Sequence, residues 1–206
     1  MPRKIDHRER RELLADALMR LAAARGLEGV SLRHVAAEAG VSTGMVQHYF
    51  GTKDEMMTFA LGMVMDRIRG RSQDELAPSS PRELVRGLLL QVLPLDETRR
   101  LENHVVLAFH AYAAVKPSIA SGLREAAAET RTFLADQLRA AGRVDGADGL
   151  DRLDGLDGLD PERAAAGLLA LVDGLGLQVL SQQYAKEDAV TVLDAQLALL
   201  FGEAQG

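Results

Sequence analysis

An all-α fold is predicted by three features of the chain. No segment sustains the period-two alternation of a half-buried strand, apolar residues recur at three- and four-residue spacing, and helix-start signatures follow one another closely. About nine helices are expected. They divide into an N-terminal three-helix unit (residues 1–51) and a larger helical part (residues 52–206).

The first helix is expected from about Ile5 to Ala24, with Leu13, Leu14, Ala17, Leu18 and Leu21 as its buried stripe and Gly26 and Gly29 ending it. Ser31 suits the N-cap of a short second helix over residues 32–39, in which Leu32, Val35, Ala36 and Ala39 share a face. Gly40 then supplies the left-handed turn. Ser42 caps a third helix beginning near Thr43, with Val41, Val46 and Phe50 turned inward.

The spacing of Ala36, Gly40 and Val46 carries the most information. A small residue where the helices cross, a glycine at the turn and an apolar plug between them let two helices meet at a wide angle. With a cap on either side, the set reads as a helix-turn-helix, a device that places one short helix in the DNA major groove.

Thr52 and Glu55 form a Thr-x-x-Glu capping box, so a fourth helix follows at once and runs to about Leu76. Ser80-Pro81-Arg82-Glu83 starts a fifth, with Ser80 as cap, Pro81 at the first helical position and Glu83 closing the box. A sixth begins at Leu95-Asp96 and ends before Pro117. A seventh covers Ser118 to Ala141, an eighth Glu162 to about Tyr184 behind the Asp160-Pro161 cap, and a ninth Asp188 to about Phe201.

The motif Gly40-Val41-Ser42-Thr43-Gly44, then His48-Tyr49-Phe50, then Lys53-Asp54 resembles the TetR family of bacterial repressors, and its BetI-type subgroup in particular. The resemblance extends to Leu93-Pro94-Leu95-Asp96-Glu97 and Leu171-Val172-Asp173-Gly174-Leu175, which look like the BetI-type effector domain. It implies that Thr43, Gly44, Gln47, His48 and Tyr49 face DNA, with Arg33 and Lys53 on the phosphate backbone. Gln47 can pair bidentately with adenine, and Thr43 can bond a phosphate or touch a thymine methyl. Many members of the family carry Tyr at the Gln47 position, so the operator does not carry over.

A formal net charge of −6 looks unsuited to nucleic acid until it is divided along the chain. Residues 1–54 hold nine Lys/Arg against seven Asp/Glu, a net of +2, and residues 55–206 hold fifteen against twenty-three, a net of −8. Arg3, Lys4, Arg8, Arg10 and Arg11 are thereby placed to reach phosphates, and screening over about 8–10 Å limits repulsion from the acidic remainder. The absence of cysteine excludes disulfides and thiolate metal sites and fits a cytoplasmic protein, as does a polar N-terminus unlike a signal peptide. The most apolar run, Ala164 to Leu180, contains Asp173 and three glycines and is expected to fall short of a membrane span of about 20 residues. No cofactor, metal or membrane partner is expected.

The last two helices carry more apolar residues than one core requires: Leu168, Leu169, Leu171, Val172, Leu175, Val179 and Leu180, then Val190, Leu193, Leu197 and Leu200. Gly167, Gly174 and Gly176 suggest close helix–helix approach there. Together with the family resemblance, this implies a homodimer through a four-helix bundle, which would set two recognition helices on a palindromic operator. The sixth helix is apolar nearly all round, so it is expected to be central and buried. Its His104 and Tyr112 share a face, opposite His110. The family's effector pocket would then be lined by Phe59, Met63, His104, Phe109 and Tyr112. A quaternary ammonium is usually held by an aromatic cage. Aromatics total only 4 % here, without tryptophan, so the effector stays open between the choline of the BetI type and an apolar or mixed small molecule.

Between Gly142 and Pro161, Asp recurs every third residue at 145, 148, 151, 154, 157 and 160. The period matches neither an EF-hand nor a nine-residue calcium repeat. Residues 143–159 therefore read as a flexible Gly/Asp/Leu-rich insertion.

The expected function is a ligand-responsive transcriptional repressor that binds its operator as a homodimer and is released by a small-molecule effector. An activator or a ligand-independent regulator of the same fold is the alternative. No Ser-His-Asp or two-His-carboxylate constellation stands at helical spacing, so an enzyme is not expected.

Overall fold

The computed structural model describes residues 7–75, 80–144 and 160–201 of the 206. The described residues form nine helices and no strand: α1 (His7–Arg25), α2 (Leu32–Glu38), α3 (Thr43–Tyr49), α4 (Lys53–Glu75), α5 (Pro81–Val92), α6 (Glu97–Ala113), α7 (Pro117–Val144), α8 (Pro161–Leu180) and α9 (Lys186–Phe201). The proposed start at Ile5, the basic residues Arg3 and Lys4, and residues 145–159 of the insertion lie outside the described residues.

The helix starts follow the capping chemistry. The side chains of Ser31 and Ser42 accept the backbone N–H of His34 and Met45 at 3.3 and 3.2 Å. Ser80 and Glu83 form the reciprocal box, with the Ser80 N–H donating to Glu83 Oε2 at 2.8 Å and the Glu83 N–H to Ser80 Oγ at 3.3 Å. At α4 the box is displaced by one residue. Thr52 Oγ1 accepts the Glu55 N–H at 3.1 Å, but Glu55 reaches back to the N–H of Gly51 at 2.9 Å. Asp160 caps α8 ahead of Pro161.

The chain divides into two compact units, residues 1–67 with 100–125 and residues 68–99 with 126–206. In the first unit, α1 buries Leu14, Ala17, Leu18 and Leu21, as the apolar spacing predicts, and adds Ala15, Met19 and Ala22. Leu13 departs from the expected stripe and is exposed, because its position on the helix falls beside the buried arc rather than within it. The inner face of α4 contributes Met56, Met57, Ala60, Leu61 and Val64. An ion pair between Arg67 and Asp16 at 2.7 Å joins α4 to α1.

α6 corrects the expectation of a fully buried central helix. Of its side chains only Glu102, Val105 and Phe109 are buried, while Leu101 and Leu107 are exposed. Apolar residues all round a helix permit burial on every side without requiring it, and here one face supplies the packing.

In the second unit the core is built where α5, α7, α8 and α9 meet. Val85, Leu89 and Leu93 pack with Leu134, with Leu168, Val172 and Leu175, and with Leu193 and Leu197. At roughly 1.5–3 kcal/mol for each fully buried aliphatic side chain, this layer is the main source of the unit's stability. Arg86 closes its edge with a two-pronged bond to Asp194, at 2.6 and 3.0 Å.

Two further expectations change at α8. The helix ends at Leu180 rather than near Tyr184, because Gln182 takes a φ of 60° and the Gln183 N–H turns back to the Gln178 carbonyl at 2.9 Å. Its 20 residues also make it long and apolar enough, by length and composition, to cross a membrane, against the expectation that this run falls short. Its Ala165, Leu168, Val172 and Leu175 belong to the core just described.

Candidate nucleic-acid interface

The helix-turn-helix is held from within. Val35, Ala36, Val46 and Phe50 are buried, and Gly40 takes a φ of +67°, in which a side chain would be strained. The Val41 N–H returns to the Ala36 carbonyl at 2.9 Å and fixes the turn. Arg20 of α1 bonds Glu38 at 2.8 Å, which ties the first helix to the second.

With Val46 and Phe50 anchored inward, the helical period sends a fixed set of residues outward. Gly44, Gln47 and His48 are exposed and Thr43 is half-buried, so the four share the outer face of α3. A Cβ added at Gly44 would meet only Ser42 Oγ, at 3.9 Å, so that face is open above the glycine. Arg33 is exposed on α2. Tyr49 is half-buried between two imidazoles, its ring centre 4.8 Å from that of His7 and 5.1 Å from that of His48.

Lys53 is placed differently from the solvent-facing cation that the sequence suggests. Its Nζ donates to the Leu27 carbonyl at 2.5 Å and lies 5.1 Å from the centre of the Tyr112 ring. Burial pushes its pKa below the usual lysine value. Lys116 adds to that fall, while Asp54 and Glu28 oppose it.

Arg11 also moves from the set of residues expected on phosphates. Its guanidinium carbon is 4.6 Å from the centre of Phe50 and 4.5 Å from that of Phe59, and Nη2 reaches Glu55 at 3.2 Å. Its Nε is buried without a hydrogen-bond partner among the described residues. The signal was present in the sequence, since Arg11, Leu14 and Leu18 stand at i, i+3 and i+7 on one helix face. Arg8 pairs with Glu12 at 2.8 Å on the exposed side of α1.

The five residues suggested for an effector pocket all fall in the first unit. Phe109 is fully buried, and Phe59, Met63, His104 and Tyr112 are half-buried. Two of them have cationic neighbours in the chain itself: Phe59 faces Arg11, and Tyr112 faces both Lys53 and Lys116. Glu102, a buried carboxylate on the inner face of α6, was not singled out by sequence reasoning. Among the described residues no group of His, Cys, Asp or Glu is arranged to hold a metal ion.

A tri-helical unit that presents a short capped helix on a rigid turn defines a helix-turn-helix protein of the DNA-binding class. Comparison with known proteins narrows this. Residues 14–58 match the family model for bacterial regulatory proteins of the tetR family, and residues 81–202 match that for the C-terminal part of BetI-type transcriptional repressors. The chain therefore belongs to the TetR family, with a BetI-type C-terminal half, and is a DNA-binding transcriptional regulator.

Among its relatives, the HTH-type transcriptional regulator PksA of Bacillus subtilis is 41 % identical over 56 % of this chain, a match that spans 57 % of PksA. The HTH-type transcriptional regulator BetI of Paraburkholderia phytofirmans is 31 % identical over 85 % of this chain and 84 % of its own length. A transcriptional regulator from Rhodococcus sp. Rha1 superposes with a TM-score of 0.79 at 38 % identity, covering 92 % of this chain and 95 % of its own. One from Saccharomonospora viridis, in complex with choline, gives 0.77 at 25 % identity, covering 91 % and 95 %.

Proposed function

We propose that this chain is a ligand-responsive repressor that binds a palindromic operator as a homodimer and leaves it when a small molecule binds. In this reading residues 1–51 bind DNA in the cytoplasm, and residues 52–206 bind the effector and the second subunit. The observation that carries it is the outer face of α3, where Thr43, Gly44, Gln47 and His48 stand clear of the anchors Val46 and Phe50. Gln47 reads a base edge, Arg33 meets the backbone, and Tyr49 sits at the rim of the same face.

Dimerisation through α8 and α9 is supported by apolar side chains that the chain itself leaves uncovered. Leu177 and Leu199 are 49 % and 67 % exposed, and Tyr184 in the turn between the helices is exposed as well. Gly167 and Gly174 add to this, because a Cβ on either would meet nothing within 4 Å, so packing inside the chain does not account for them.

Phe59, Met63, His104, Phe109 and Tyr112 remain the proposed effector contacts. Choline, held by the Saccharomonospora viridis regulator, is the first compound to try. An effector acts only through a difference in affinity between the operator-competent dimer and another state of it.

The test is a gel shift of the full chain with the DNA flanking its own coding region, at two salt concentrations and with candidate effectors added. Binding that weakens steeply with salt and is released by one effector is the expected result. No binding at low salt would sink the reading.

A further inference from the structure

Two ammonium groups share one aromatic ring in the first unit. Lys53 Nζ lies 5.1 Å and Lys116 Nζ 6.0 Å from the centre of Tyr112. The three residues come from different elements: Lys53 opens α4, Tyr112 lies in the last turn of α6, and Lys116 immediately precedes α7. Cations are drawn to the face of a tyrosine, by roughly 0.5–1 kcal/mol at exposed sites. Gathering two of them raises their mutual repulsion unless a negative charge is supplied.

Asp54 and Glu28 favour the charged form of Lys53, and Lys116 opposes it. Lys53 also has the Leu27 carbonyl as an acceptor. Lys116 is exposed, so its ammonium is accessible to a partner from solution. The site is adjacent to the helix-turn-helix, because Lys53 follows Phe50 by three residues and Leu27 belongs to the turn before α2. Duplex DNA offers one negative charge per about 1.7 Å of its axis, so any backbone approaching Lys53 presents several phosphates to a second cation nearby.

We propose that Lys53, Tyr112 and Lys116 form a phosphate-contact site that extends the operator interface from the helix-turn-helix to the α6–α7 turn. Lys116 is the added backbone contact, and Tyr112 is a positioning residue whose ring holds both ammonium groups in place. The proposal rests on the DNA-binding reading above. It adds a residue from outside the N-terminal family match, which ends at residue 58.

The experiment is a salt titration of the full chain with a labelled duplex from the DNA flanking its coding region and with a random-sequence duplex of equal length. Lys116→Gln is expected to weaken binding to both duplexes by the same factor and to reduce the slope of log K against log salt by about 0.9, the value of one phosphate contact. Lys116→Arg should restore the slope. Tyr112→Phe, which keeps the ring, should leave it unchanged, and Tyr112→Leu should lower it. An unchanged slope in Lys116→Gln overturns the proposal, as does a loss confined to one sequence. If Tyr112→Leu does not fold, the exposed Lys116 variants decide the matter alone. Failure of the unaltered chain to bind either duplex would instead remove the DNA-binding reading beneath it.

Discussion

Arg11 of α1 stacks its guanidinium 4.6 Å from the centre of the Phe50 ring, at the end of the recognition helix. The ring of Phe59 on α4 lies 4.5 Å away from the same group, so one cation ties three helices together. A planar guanidinium can lie against both faces, as a lysine ammonium cannot.

Removing that side chain should loosen the recognition helix from its support. Arg11→Ala is expected to cost about 2–3 kcal/mol through lost packing and lost cation–π attraction. Arg11→Met should cost less than about 1 kcal/mol, because it fills the space between the rings and removes the buried, unpartnered Nε. Urea unfolding of the two variants decides it. Equal losses would mean that charge rather than packing holds the site.

The sequence was most informative where local chemistry decides structure. Caps at Ser31, Ser42, Ser80 and Asp160 were legible because a short side chain and the free N–H groups of a helix start interact within three residues. The outer face of α3 was legible for a similar reason, since Val46 and Phe50 fix which side is buried. Partners distant in sequence were not legible. The contact of Lys53 with Leu27 and Tyr112 spans 26 and 59 residues, and no periodicity within α4 encodes it. The exposure of Leu101 and Leu107 escaped the sequence for another reason: hydropathy reports what a helix can bury, whereas packing partners decide what it does bury.

Two caps give the stability a pH dependence. Asp96 accepts the Arg99 N–H at 2.8 Å and the Arg99 Nε at 2.7 Å, and these bonds hold its carboxyl below the usual aspartate pKa. Glu83 is lowered in the same way by bonds from Ser80. A carboxyl with a depressed folded pKa binds fewer protons in the native state than in the unfolded one. Its stabilisation is therefore complete above the unfolded value of about 4 and is lost as pH falls through the lower folded value. Asp96→Ala should cost about 1 kcal/mol at pH 7, the usual value of an N-terminal cap. Melting curves of variant and parent should converge below about pH 3. A gap that persists at that pH would show that the ionised carboxylate is not its source.

Gln47 is exposed on α3, one helical turn beyond Thr43. Gln47→Ala is expected to remove about 1–3 kcal/mol of discrimination at one or two base pairs, while leaving the salt dependence of binding unchanged. A panel of duplexes that differ at single positions would measure it. If the preferred sequence survives the substitution intact, the base-reading role belongs to another residue.

The dimer face can be tested by charge. Leu177 on α8 and Leu199 on α9 are apolar side chains that the chain does not cover, and each would gain roughly 1.5–3 kcal/mol when fully buried by a second copy. Placing carboxylates there costs an interface that gain and adds desolvation of the new charge, with the same residue facing it across a two-fold axis. Leu177→Glu combined with Leu199→Glu should therefore shift the chain from dimer to monomer in sedimentation velocity while its helical circular dichroism is retained. Affinity for a whole palindrome should fall toward that for a half-site, since the second recognition helix no longer arrives with the first. Leu101→Glu on α6, at a side chain that is also exposed, serves as the control and should leave the dimer intact. Dimers that persist in the double variant would place the subunit contact elsewhere than on α8 and α9.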